Sequence, residues 1–309
     1  MQDFLSIIFD DLHLSGVEYF FISGSDPWAF RLSLPGRSIF HAVLQGRVQI
    51  DIEGERHVLE AGDIFIAPTG LGHRVGQVDA PDVPALDLGP SFGNPRSGPL
   101  QIGSGEMSAY LITAGCRFDV DLGQPLMSAL PPAIPIRGLQ RSPPEWLRIG
   151  IDFLLQERRE VRPGHQSILN RLGDIWFVEC LRTYIENLPA GNESWLRALK
   201  DPALATVLSA IHQAPEKDWT VPDLAQLACL SRSAFADRFQ KIMGKPPLTY
   251  VSEHRMRLAA WQLRHTEQPV CRIAEMVGYS SETAFGQAFK RAHGLAPGRY
   301  REQLRMAAM

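Results

Sequence analysis

Leu224 to Gly244 reads LAQLACLSRSAFADRFQKIMG, and Ile273 to Gly294 reads IAEMVGYSSETAFGQAFKRAHG. With one extra residue in the second copy the two align. Leu224 matches Ile273, Ala225 matches Ala274 and Ser231 matches Ser280. After the insertion Phe235 matches Phe285, Phe239 matches Phe289, Gly244 matches Gly294 and Tyr250 matches Tyr300. Each copy predicts a short helix, a tight turn and a second helix whose phenylalanines at i and i+4 mark its buried side. A small alanine in the first helix lets the second cross closely, as a helix-turn-helix requires. Gly278 suits a turn residue with positive φ, but its counterpart is Cys229. Left-handed geometry at a non-glycine residue costs on the order of 1 kcal/mol, so the first turn is expected to be strained or differently shaped. Thr220 with Asp223 has capping-box spacing, and Ser231 and Ser281 are placed to cap the two second helices. Pro246-Pro247 opens a long helix, Leu248 to His265, that sets the distance between the units.

With Phe235 and Phe239 in the core, the second helix of the first unit presents Arg232, Ser233, Ala236, Asp237 and Gln240, with Lys241 beside them. The second unit presents Ser281, Glu282, Thr283, Gly286 and Gln287, with Lys290 and Arg291 nearer the helix end. Such a helix fits the major groove of DNA: its first turns reach base edges and flanking cations meet phosphates. The alternative is a plain helical bundle with phenylalanine at core spacing. Two copies joined by a proline-initiated helix favour the DNA-reading unit. Charge agrees: the net charge of −3 divides into 14 Lys+Arg against 9 Asp+Glu from Ala205 onward, and 17 against 25 before it. A basic tail on an acidic body suggests that the tail meets a polyanion.

A chain of 309 residues exceeds what one core organises, so two or three domains are expected. The first 125 or so read as β: Val17 to Ser23, Trp28 to Leu34, Ser38 to Gln45, Arg47 to Ile52, Glu55 to Leu59, Asp63 to Pro68, Ala109 to Ala114 and Arg117 to Asp121. Many short strands separated by turns such as Ala61-Gly62-Asp63 imply a sandwich or barrel. Gly89 to Gly105, crowded with Gly and Pro, is expected to be a long surface loop. Prolines 131, 132, 135, 143 and 144 mark a boundary that neither a helix nor a central strand would accept. Beyond it, Glu145 to Arg159 and Gln166 to Leu188 take a helical period, with Leu169, Leu172, Ile175, Trp176, Val178, Cys180, Leu181 and Ile185 near one broad face. That face either packs within the chain or forms a dimer interface. Asn187 to Ser194 reads as a linker. The expected fold class is α+β, with residues 1–130 a β domain, 131–200 a helical linker or dimerisation segment, and 205–309 an all-α domain carrying two helix-turn-helix units.

From about residue 205 to 303 the chain resembles the DNA-binding domain of the AraC/XylS family of bacterial transcription regulators. The residues that carry the resemblance are LSRSAFADRF, PPLTYVSEHRMRLAAWQL and IAEMVGYSSETAFGQAFKRAHGLAPGRYR. The resemblance implies two helix-turn-helix units reading adjacent major-groove segments on one face of DNA. The family's base-reading positions fall on Ser233, Ala236 and Asp237, and on Glu282, Thr283 and Gln287. Relatives often carry Arg where this chain has Asp237 and Gln287. Arginine pairs bidentately with guanine, whereas aspartate accepts from cytosine and repels phosphate. The operator is therefore not inferred from relatives.

Gly62-Asp63, Pro68-Thr69-Gly70 and His73 together resemble the second characteristic motif of cupins, and Ile39-Phe40-His41 resembles part of the first. The N-terminal part thus looks like the cupin-type sensor barrel of one branch of AraC-like regulators. Metal-dependent cupin enzymes need His-x-His, a carboxylate soon after, and a further His. Here Ala42 and Val43 follow His41, and Arg47 sits near the expected carboxylate, so His41 and His73 complete half of such a site. They are either ordinary barrel-wall histidines or contacts to a small-molecule or metal effector. No cofactor is otherwise expected.

A composition of 45% hydrophobic and 21% charged residues is globular, not disordered. No apolar run approaches a membrane span, and the acidic start MQDFLSIIFDDL lacks a basic signal-peptide region, so a cytoplasmic protein with no membrane partner is expected. Cys116, Cys180, Cys229 and Cys271 form no CxxC pair. The motifs GxxxxGK[ST], GxGxxG after a strand, HExxH and GxSxG are missing. These readings converge on a sequence-specific DNA-binding transcription regulator, not an enzyme. Its expected partners are double-stranded promoter DNA, a second copy of the chain and, if it activates, RNA polymerase. A cupin enzyme with a helical tail and an oxidant sensor built on Cys116 are the rivals.

Overall fold

The computed structural model describes residues 4–12, 15–80, 82–93, 99–119, 121–137, 145–159, 162–188, 195–198 and 200–308. Two compact units form, and they do not follow chain order. One gathers Met1–Leu12, Asp119–Ala129 and Pro189–Met309; the other gathers His13–Phe118 and Leu130–Leu188.

The chain opens with helix α1 (Phe4–Leu12) and then builds β1 (Ser15–Ser25), β2 (Ala29–Leu32), β3 (Arg37–Ile52), β4 (Glu55–Glu60), β5 (Ile64–Ala67), β6 (His73–Gly76), β7 (Leu86–Asp87), β8 (Leu100–Ile102) and β9 (Met107–Arg117). After α2 (Gln124–Ala129) comes β10 (Ile134–Ile136), followed by α3 (Glu145–Arg159) and α4 (His165–Glu186). The strands run in the order β7-β2-β6-β3-β9-β1-β8, with β4 and β5 along β3 and β10 on β5, giving a near-closed barrel. β3 is its spine. The first half pairs with β5 and β9, the second with β4 and β6. Its register against β9 shifts between Val43 and Gln45, and Gly46 follows with φ 79°. A Cβ on Gly46 would lie 1.9 Å from the Ser108 carbonyl oxygen, so glycine is what lets the strands pass so closely. The interior is one apolar cluster that includes Ile22, Trp28, Phe30, Ile39, Val48, Ile50, Phe65, Val75 and Leu111.

Several expectations for this part need correction. Ser38 to Gln45 and Arg47 to Ile52 are one strand, because Gly46 bends β3 without ending it. Arg117 to Asp121 is not a strand: β9 stops at Arg117, and the Asp119 carboxylate accepts from the N–H groups of Asp121 and Leu122, turning the chain toward α2. Gly89 to Gly105 is not all loop. It holds a 3₁₀ turn at Gly89–Ser91 and β8, which pairs parallel with β1 and buries Ile102. Pro135 sits inside β10, which among the described residues pairs with β5 only and so lies at the sheet's edge, where proline is tolerated. Prolines 143 and 144, and the linker from 189 to 194, lie outside the described residues.

Helices α3 and α4 arise at the anticipated places. On α4, Leu169, Trp176, Cys180, Leu181 and Ile185 are buried together with Phe177, while Ile175 is 46% exposed and Leu172 and Val178 are half-buried. The helix lies against β1: Gln166 donates to the Val17 carbonyl at 2.9 Å, and Asn170 accepts from the Val17 N–H at 3.1 Å.

The other unit holds α5 (Trp195–Ala198), α6 (Pro202–Gln213), α7 (Val221–Leu227), α8 (Arg232–Met243), α9 (Pro247–His265), α10 (Val270–Met276), α11 (Glu282–His293) and α12 (Pro297–Ala308). Helix α9 is the connector expected after Pro246-Pro247. Its buried side and α10–α11 form a cluster of Met256, Ala259, Ala260, Leu263, Ile273, Ala274, Val277, Phe285 and Phe289. Phe239 meets Phe235 at 5.6 Å and Tyr250 at 5.9 Å in the first unit, and Phe289 meets Phe285 at 5.7 Å and Tyr300 at 5.3 Å in the second. The aligned residues of the repeat thus occupy matching places.

Candidate nucleic-acid interface and barrel interior

Helix α7 starts in the expected capping box. The Thr220 hydroxyl accepts from the Asp223 N–H, and the Asp223 carboxylate accepts from the Thr220 N–H and hydroxyl. The bond from the Thr220 hydroxyl holds the Asp223 carboxyl below its ordinary pKa. Helix α7 gives way to Cys229 at φ 55°, and Ser231 caps α8 by accepting from the Ala234 N–H at 3.3 Å. Helix α11 repeats this with Gly278 at φ 80° and Ser281 accepting from Ala284 at 3.3 Å. Gly244 and Gly294 end the two helices in the left-handed conformation.

Phe235, Phe239, Phe285 and Phe289 are completely buried, which fixes the rotation of both helices. Arg232, Ser233, Asp237, Gln240 and Lys241 are exposed on α8, with Ala236 half-buried between them. Ser281, Glu282, Thr283, Gln287, Lys290 and Arg291 are likewise exposed at and along α11. Ser233, Asp237, Gln240 and Lys241, and at the same positions Thr283, Gln287, Lys290 and Arg291, lie on the side away from the phenylalanine pair, whereas Arg232 and Glu282 lie on the phenylalanine side by helical spacing and are exposed because they open their helices.

One supporting residue escaped the sequence reading. Asp201 caps α6 by accepting from the N–H groups of Ala203 and Leu204. Its other oxygen accepts from Arg238 of α8, from Nε at 2.8 Å and Nη2 at 2.7 Å. The Asp201 side chain is 7% exposed, so this charge-assisted fork ties α8 to the start of α6. The signal was present: Asp201-Pro202 has the form of an N-cap followed by proline at the first helical position.

In the barrel, β3 and β6 bring His41 and His73 together, Nε2 to Nε2 at 2.7 Å. His73 Nδ1 lies 2.7 Å from the Leu71 carbonyl, which can only accept, so that nitrogen carries the proton. His73 Nε2 is then an acceptor, His41 Nε2 donates to it, and His41 Nδ1 accepts from the Thr113 hydroxyl at 2.8 Å. All four ring nitrogens are engaged with both rings neutral. Burial holds His41 well below its ordinary pKa and lowers His73 as well. Thr113, from β9, is the member that no sequence motif indicated. Among the described residues no group of three or more His, Cys, Asp or Glu could hold a metal ion. Cys116 is buried and its thiol is pushed up to about 12 by burial, the opposite of a reactive thiolate.

Comparison with known proteins agrees with both halves. Residues 3–186 match the family described as Cupin, and residues 224–303 match the Helix-turn-helix domain family. The HTH-type transcriptional regulator AlkR of Acinetobacter baylyi is 39% identical over 98% of this chain and 100% of its own length. An AraC-like transcription regulator of Streptomyces lividans is 33% identical over 98% and 97%. The chain belongs to the AraC-like family of transcription regulators. It is a DNA-binding regulator that joins an N-terminal cupin barrel to a C-terminal AraC-type helix-turn-helix domain. Among solved structures, the DNA-binding domain of AdpA in complex with a target DNA is 30% identical, covering 35% of this chain and 96% of that one at a TM-score of 0.33. Among its described residues, no helix of this regulator is long and apolar enough to cross a membrane.

Proposed function

We propose that this regulator binds promoter DNA sequence-specifically, with α8 and α11 in adjacent major-groove segments. Arg232, Ser233, Ala236, Asp237 and Gln240 face the bases or their flanks from the first unit, and Ser281, Glu282, Thr283 and Gln287 do so from the second. Lys241, Lys290 and Arg291 meet phosphates. The observation that carries the reading is the matched exposure of these positions on two helices whose rotation the buried phenylalanine pairs fix. Affinity should fall steeply with salt, by a logarithmic slope of about 0.9 per phosphate contact. Binding of the full chain to duplex DNA, measured across a salt series with competitor DNA, tests this. Salt-independent binding, or no preference over competitor, would refute it.

The barrel contributes no catalytic step in this reading and acts as sensor or dimerisation module in a cytoplasmic protein. Self-association draws support from Ile149 and Phe153 of α3 and Ile175 of α4, large apolar side chains 42–46% exposed on the helical hairpin. A small-molecule or metal effector would register at His41 and His73 by displacing the bond between them. Where DNA binding activates transcription, RNA polymerase is the further partner. Phe153→Glu should shift the chain toward monomer in sedimentation; an unchanged oligomeric state removes the hairpin from the interface.

A further inference from the structure

Arg255 lies on α9, on neither recognition helix. Its guanidinium donates from Nε to the Pro215 carbonyl and from Nη2 to the Lys217 carbonyl, each at 2.7 Å. Both carbonyls belong to the loop between α6 and α7, which leads into the first helix-turn-helix unit. The same guanidinium lies 5.9 Å from the ring centre of Tyr279, in the turn of the second unit. Gly278 of that turn approaches so closely that a Cβ there would meet Arg255 Nη2 and the Glu216 carbonyl oxygen at 2.7 Å each. The loop of one unit and the turn of the other therefore close on a single side chain. Arg301 of α12 makes a comparable clamp between the last turn of α9 and the loop before α10, donating to the carbonyls of Leu263 at 3.4 Å and Gln268 at 2.6 Å. At Arg255 that clamp is extended to hold both units.

We propose that Arg255 is a positioning residue that fixes the orientation of α11 relative to α8, and so sets the separation between the two DNA half-elements this regulator accepts. A connecting helix alone leaves freedom at its ends, at Pro246-Pro247 and over residues 266–269. The contact of loop 215–217 with turn 278–279 is a second tie beside α9, and two ties define an orientation where one does not. Arginine is required because its planar fork serves two carbonyls while its face and edge stay available to Tyr279 and Gly278; lysine serves one carbonyl as a point charge. The inference rests on the proposed reading that both units contact DNA.

The test uses full-length protein and duplexes carrying both half-elements that the wild type selects, with their separation changed by one or two base pairs, beside duplexes carrying one half-element. The wild type should favour one separation by about tenfold. Arg255→Ala should flatten that preference to about threefold or less and leave affinity for single half-elements unchanged, with Arg255→Lys intermediate. A sharp spacing preference in Arg255→Ala overturns the proposal. So does an equal loss on single half-elements in both variants, which would mark a purely local folding role. If the wild type selects no bipartite element, the reading of both units as DNA contacts fails, and this inference fails with it.

Discussion

Cys229 and Gly278 occupy the same turn position in the two helix-turn-helix units and share its left-handed backbone, at φ 55° and 80°. The hydrogen bonds match as well: Leu230 donates to the Ala225 carbonyl and Tyr279 to Ala274, while Cys229 donates to Gln226 and Gly278 to Glu275. Of the two outcomes expected for the first turn, a different shape or strain, the structure has strain. Cys229→Gly should relieve on the order of 1 kcal/mol, less what glycine gains in the unfolded chain, for a small net stabilisation. Gly278→Ala should destabilise by at least about 1–2 kcal/mol, since it adds left-handed strain to the contact with Arg255. Chemical unfolding of the full chain measures both; equal effects at the two positions would contradict the account.

The Asp201–Arg238 fork combines a helix cap with an ion pair whose carboxylate is buried and whose guanidinium is partly exposed. Asp201→Ala should cost about 2–4 kcal/mol, the sum of a lost N-cap and lost hydrogen bonds to a charged partner. Ser281→Ala, which loses a cap alone, should cost about 1 kcal/mol. Thermal unfolding ranks them, and an Asp201→Ala chain as stable as Ser281→Ala would show that the pair with Arg238 contributes nothing.

Stability should fall in mild acid. His41, His73 and His254 are all held neutral by burial, with folded pKa values below 6.5. Below about pH 6.5 the unfolded chain takes up protons that the folded chain refuses, so stability present at neutral pH is lost as pH drops toward the folded values. Each such histidine contributes up to about 1.4 kcal/mol per pH unit, so the barrel pair contributes up to about 3. The thermal midpoint should therefore drop from pH 7.5 to 5.5, and less so in a His41→Gln/His73→Gln chain that still folds. A midpoint independent of pH over that range would mean that the buried pair accepts a proton.

On DNA, Lys290→Ala should weaken all sites alike and reduce the salt slope by about 1, whereas Gln287→Ala should change preference at one base position. Uniform loss in both variants would mean that α11 is docked differently from the arrangement proposed here.

The repeat was legible because its information is local: caps, turn residues and a pair of phenylalanines four apart each act within one or two turns of chain. The barrel was legible in outline through alternating strands. Its missed parts depend on distant partners. β6 and β7 are short strands without a clear alternation, and β8 is a strand only because β1 lies beside it. Likewise His41 and His73 could be singled out one by one. Their mutual bond, and the role of Thr113, exist only once β3, β6 and β9 are side by side.

The central claim, that two matched helices of this regulator read DNA together, is tested most directly by selecting bound fragments from a pool of short duplexes with the intact protein at near-physiological salt. The account predicts enrichment of a motif with two half-elements about one helical turn apart. Enrichment of one half-element alone would contradict it, as would failure to enrich any motif both with the intact protein and with residues 205–309 by themselves.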